Sequence, residues 1–98
     1  MGNTALVMAA YDGSTAIAKA LIKAGANLDL HQSFSGATAL TMAIWKGDPA
    51  TVKALIKAGA KLNLPNIVGR TPLIGAVIEG RTAIVKTLIK AGANLDLQ

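Results

Sequence analysis

Leu21-Ile22-Lys23-Ala24-Gly25-Ala26 returns as Leu55 to Ala60 and again as Leu88 to Ala93. A hexamer that recurs at nearly constant distance marks one structural unit used repeatedly, so every other residue takes its meaning from its place in that unit. Aligning the hexamers also superposes Gly13, Gly47 and Gly80, and the triplets Gly2-Asn3-Thr4, Gly36-Ala37-Thr38 and Gly69-Arg70-Thr71. From Thr4 to Thr38 is 34 residues and from Thr38 to Thr71 is 33, which puts the extra residue in the first connecting loop.

Each unit reads as two short helices and a projecting loop. Thr4, Thr38 and Thr71 stand just before apolar runs, where a hydroxyl can accept a bond from a free backbone N–H and cap a helix. Pro72 suits the first turn, because the N–H it lacks would be an orphan there. Gly13, Gly47 and Gly80 supply the left-handed residue that closes this first helix. Ser14 and Asp48 are the expected caps of a second helix, with Pro49 at its first position, whereas Arg81-Thr82 is a poorer start. Ile17, Leu21 and Ile22 recur as Thr51, Leu55 and Ile56 and as Ile84, Leu88 and Ile89, an apolar stripe at helical spacing. Gly25, Gly59 and Gly92 stop the second helix. The alternations Leu28-Asp29-Leu30, Leu62-Asn63-Leu64 and Leu95-Asp96-Leu97 then predict extended hairpin stems, with tips at Gln32–Gly36 and Pro65–Gly69.

A repeat of about 33 residues with two helices and a turn resembles the ankyrin repeat. The resemblance is closest in Thr71-Pro72-Leu73, Ala76, Gly80, Ile84-Val85, Leu88-Ile89 and Gly92-Ala93, and it extends over essentially the whole chain. It implies an all-α helix-turn-helix solenoid with short β-hairpin loops, forming a single domain over 1–98. The units run from about 2 to 35, 36 to 68 and 69 to 98. Departures are Ala5 and Ala39 where Pro is usual in the family, and Val7, Thr41 and Ile74 where it has a His that ties the turns together. Stacked units predict a concave face of first helices and hairpins and a convex face of second helices.

The chain has 98 residues, no cysteine and a net charge of +5. That length makes one domain, and three repeats are about the minimum for a stable stack. The lack of cysteine removes disulfides and thiolate chemistry and favours a reducing compartment. No apolar run approaches the roughly 18 residues needed to span a bilayer, and no basic start of a secretion signal is present. Met1-Gly2 is not followed by the Ser or Thr that myristoylation wants, since Leu6 stands there. The expected location is cytoplasmic.

The aromatic residues are Tyr11, Phe34 and Trp45. Tyr11 and Trp45 hold one equivalent position, completed by Ile78, and Phe34 aligns with Ile67. The resemblance implies that both rows line the concave groove. Rigid aromatic rings are the usual anchors of protein interfaces, so the expected function is a non-enzymatic module that binds a protein partner. Around the rings the same face is expected to carry Asn3, Asp12, Ser35, Ala37, Lys46, Val68, Arg70 and Glu79. The blander reading has Tyr11 and Trp45 filling gaps between repeats. Against it, the core stripe is already supplied by Leu, Ile, Ala and Met.

Lys19, Lys53 and Lys86 form one convex row, and Lys23, Lys57 and Lys90 another one helical turn away. Solvation of an exposed face explains them, helped by the favourable place of cations in a last helical turn. The alternative is a polyanion ladder for nucleic acid or an anionic membrane, which would bind without sequence specificity. His31 has no catalytic companion, and Asp29 and Asp96 are repeat equivalents better explained as loop residues bonding nearby amides. Neither a phosphate loop nor metal-ligand spacing is present, so no cofactor, metal or small-molecule substrate is expected. Gly75 stands in a first helix where the other units have Met8 and Met42, which should weaken the third unit.

The outermost units keep apolar residues where a capped array would be polar. The first has Leu6, Met8, Ile17, Leu21 and Ile22, and the last has Leu73, Val77, Ile84, Val85, Leu88 and Ile89. The chain also opens inside a repeat and stops after a stem at Gln98. A self-assembling unit or a fragment of a longer array fits that pattern, with end-to-end self-association as the expected consequence, and the three identical hexamers also suit an engineered scaffold.

Overall fold

The computed structural model describes residues 4–96, which form α1 Ala5–Asp12, α2 Thr15–Lys23, α3 Ala39–Lys46, α4 Pro49–Lys57, α5 Pro72–Ile78 and α6 Thr82–Lys90. The three threonines cap as expected. Thr4, Thr38 and Thr71 Oγ1 accept from Val7, Thr41 and Ile74 N at 3.0, 3.3 and 3.4 Å. Thr41, standing where the family has His, also brings its hydroxyl to 3.2 Å from that of Thr38. Gly13 and Gly47, both at φ 72°, close α1 and α3, while Glu79 caps α5 and Gly80 at φ 67° follows it.

The second helices start unequally. Asp48 caps α4 by accepting from Thr51 N at 3.3 Å, with Pro49 in the first turn. Ser14 makes no side-chain cap bond, contrary to the sequence reading, and neither does Arg81. Their ψ angles, 76° and 72°, and the 91° of Asp48 all lie short of the threonine caps' extended backbone; the Asp48 carboxylate reaches further than the Ser14 hydroxyl, and the Arg81 guanidinium has no acceptor to offer.

Within each unit the first helix packs on the second, and between units α1, α3 and α5 form one layer and α2, α4 and α6 another. Leu6, Leu40, Ile44, Leu55 and Leu88 are buried in the continuous core between the layers. The ends separate residues that periodicity treats alike. Ile84 is 3% exposed and Thr51 is buried, because their position faces the preceding unit, whereas Ile17, in the first of the described units, is 58% exposed. Ala10 and Ile44 face the following unit and are buried, and their equivalent Val77 is 61% exposed. Ile84 therefore belongs to the interior and not to the open end.

The stems are not strands. Among the described residues one isolated antiparallel bridge, His31 with Thr38, is the only β pairing. Side chains compete with a ladder here: Asn27 Oδ1 accepts from Asp29 N and Asn94 Oδ1 from Asp96 N, both at 3.0 Å. Asp29 Oδ1 accepts from Lys61 N and Asn63 Oδ1 from Asn94 N, both at 2.9 Å, so these residues tie each unit to the next. Such local bonds turn the backbone away from an extended ladder. The tips do fold back, with Gln32 N donating to Ala37 O at 2.9 Å and Asn66 N to Arg70 O at 2.9 Å. Leu97 lies outside the described residues.

Candidate protein-binding groove

The last turns of α1 and α3 place Tyr11 and Trp45 side by side. Their ring centroids are 5.8 Å apart and the planes differ by 5°, a parallel stack within the usual range for aromatic pairs. The rings are 50% and 49% exposed, so each is packed on one side and offered to solvent on the other. Lys46 Nζ lies 5.8 Å from the Tyr11 centroid and 5.7 Å from that of Trp45, a distance at which a cation is attracted to the ring face.

Long side chains from each unit brace the one before. Lys46 runs over Gly13, its Cε 3.3 Å from where a Cβ would stand, and the Arg81 guanidinium lies against Gly47 in the same way. Arg81 Nη2 also donates to the Trp45 carbonyl at 2.9 Å, supplying a cation and a partner at the C-terminal end of α3. Its Nε is buried without a hydrogen-bond partner, so packing over Gly47 contributes to holding the group. This brace was missed in the sequence, where Arg81 reads only as a weak helix start.

The hairpin tips extend the same face. Phe34 is 85% exposed and Ile67 and Val68 are exposed beside it, while Ile67 N donates to Ser35 O at 2.8 Å and so joins the two tips. The Ser35 hydroxyl donates to Gln32 Oε1 at 2.7 Å and accepts from Ala37 N at 3.1 Å, so it serves the loop. Ala37 is only 5% exposed and is no surface residue; its backbone is tied into the loop by the Ser35 hydroxyl and Gln32 N. Asp12, Lys46, Arg70, Ile78 and Glu79 are all exposed, and Asn3 lies outside the described residues. Trp45, Ile78, Arg70 and Glu79 border a cavity of about 120 Å³ between the second and third units.

Family models match the described fold. A model of ankyrin repeats in three copies matches residues 1–66, and a single ankyrin repeat model matches 68–98. The chain belongs to the ankyrin-repeat family. A search of the curated proteins returned no match. Ankyrin repeats are in general protein–protein interaction modules. Large exposed rings beside apolar loop tips suit that role, since extensive exposed apolar surface marks a contact site more often than chance.

On the opposite layer the lysines are exposed, and Lys19, Lys53 and Lys57 border a shallow depression of about 570 Å³ between α2 and α4. Lys23, Lys86 and Lys90 are exposed but do not border it. Among the described residues no group of His, Asp or Glu side chains is arranged to hold a metal ion. No described helix is long and apolar enough to cross a membrane.

Proposed function

We propose that this ankyrin-repeat stack binds a protein partner, without catalysis, through the groove formed by its first helices and hairpin tips. The stacked and half-exposed Tyr11–Trp45 pair carries this reading. A ring held by stacking and by the Lys46 ammonium over it, on a helix end braced by Arg81, loses little freedom on contact, which favours it as an anchor. Phe34, Ile67, Val68 and Ile78 enlarge the apolar surface, and Asp12, Lys46, Arg70 and Glu79 give it a polar rim. The test is a pull-down with intact chain and with Trp45→Ala, followed by affinity measurement on the proteins captured. Loss of capture by folded Trp45→Ala supports the groove. Equal capture by both refutes it.

A second reading rests on the depression bordered by Lys19, Lys53 and Lys57, which could hold an anionic polymer. Such binding would weaken steeply with salt, as counterions are released. Titration of single-stranded DNA into wild type and into a Lys19→Glu, Lys53→Glu, Lys57→Glu variant decides it. Absence of binding to wild type even at low ionic strength removes this reading.

A further inference from the structure

Asp12, Lys46 and Glu79 are repeat equivalents, 34 and 33 residues apart, and each is exposed at the end of a first helix next to Tyr11, Trp45 or Ile78. The groove therefore carries an alternating row of charge, negative, positive, negative, one per unit. Neighbouring packed helices lie about 8–10 Å apart, which sets the spacing of the backbone positions from which these side chains project, and the Lys46 ammonium leans from its position toward the first unit, over the Tyr11 and Trp45 rings. A helix shows the same face every seven residues, about 10.5 Å, close to the upper end of that range. A strand covers about 10 Å in three residues, but the third residue on points to its opposite face.

Gly75 adds a second feature to the same groove. Its equivalents are Met8 and Met42, and Met42 packs against the core. A Cβ at Gly75 would meet nothing within 4 Å, and Gly75 is not among the glycines with positive φ. Neither backbone conformation nor packing requires glycine there, and glycine weakens a helix. What its absent side chain provides is room in an open cavity of about 120 Å³, with Ile44, Trp45, Pro72 and Ile78 as its apolar wall and polar residues, Arg70 and Glu79 among them, on its other side. An enclosed apolar cavity of about 150 Å³ accepts benzene, so the apolar wall of this smaller and open one suits a single aliphatic side chain.

We propose that the groove receives a helical segment of a partner protein, with basic, acidic and basic side chains seven residues apart facing Asp12, Lys46 and Glu79, and one aliphatic side chain seated beside Gly75. This rests on the groove reading above and specifies its partner. Charge complementarity of this kind fixes register and rejects wrong partners.

The probe is a phage-displayed library of helical peptides of roughly 18 residues, long enough for three sites at seven-residue spacing. The three sites vary among Lys, Glu and Gln, and one site between the second and third varies among Ala, Leu and Phe. Wild type should enrich Lys-Glu-Lys with Leu at the apolar site, by about tenfold over the charge-reversed set. The triple variant Asp12→Lys, Lys46→Glu, Glu79→Lys should reverse the charge preference. Gly75→Met should keep the charge preference, lose the preference for Leu, and melt no lower than wild type. Peptides that depend on Trp45 but show no charge or Leu preference overturn this inference and leave the groove reading intact. Peptides indifferent to Trp45→Ala, or no enrichment at all, overturn the inference, and indifference to Trp45→Ala counts against the groove reading as well.

Discussion

A glycine inside a helix costs about 0.5–1 kcal/mol relative to alanine, and Gly75 lies inside α5 with open space where a Cβ would point. Gly75→Ala should therefore raise the melting temperature by about 4 °C, measured by circular dichroism. Gly36 is the opposite case. It has φ of 70°, and a Cβ there would stand 2.9 Å from Ile67 N, a backbone atom already donating to Ser35 O. Gly36→Ala should cost about 1–3 kcal/mol in urea unfolding and disturb the tips that carry Phe34 and Ile67. An unchanged midpoint would mean that the two tips are not in close contact. The sequence places one at a loop tip and the other inside a helix, and the structure bears out the contrast. They differ because one conformation is left-handed and crowded, and the other is helical and open.

At the scale of elements, Asp48 joins α2 to α4. Its carboxylate accepts from Thr51 N and Thr51 Oγ1, and from Thr15 Oγ1 in the preceding unit. Burial alone would raise its pKa, but the hydrogen bonds from Thr15, Thr51 and the Ala50 backbone outweigh that and hold it below the ordinary value of 3.8. A folded pKa below the unfolded one stabilises the protein fully above the unfolded value, and that stability is lost as pH falls through the folded value. Thermal melts should therefore show stability falling below about pH 4, and Asp48→Asn should be less stable at neutral pH with a flatter acid limb. Identical acid limbs would show that these bonds do not distinguish the charged form. The helices, their threonine caps and their glycine stops were legible in the sequence because each is a local signal repeated in every unit. The expected stems failed because Asn27 and Asn94 bond their own backbone, and Asp29 reaches the next unit. The aromatic pair was legible as a row of equivalent positions. Its bracing by Lys46 and Arg81 was not, since it depends on the reach of side chains from a neighbouring unit.

Across the whole molecule, helical periodicity identifies a buried stripe but not which neighbour each residue meets, and the structure resolves this at the two ends. Ile17 faces outward at one end and Val77 and Ile89 at the other, surfaces whose internal equivalents pack together. Light scattering across a wide concentration range should show head-to-tail association, removed by Ile17→Lys or Val77→Lys with little loss of stability. Ile84→Lys should instead unfold the chain, because Ile84 is buried against the preceding unit. A strict monomer at high concentration would contradict this use of the ends. Folding rests on Leu6, Leu40, Leu55 and Leu88, and the proposed binding on the face that displays Tyr11 and Trp45. Calorimetric titration of a groove-selected peptide into wild type and Trp45→Ala separates these roles most directly. Removing the ring should weaken affinity by about 2 kcal/mol or more, roughly thirtyfold, in a protein that remains folded. Unchanged affinity, or a Trp45→Ala chain that no longer folds, would contradict the assignment of Trp45 to binding.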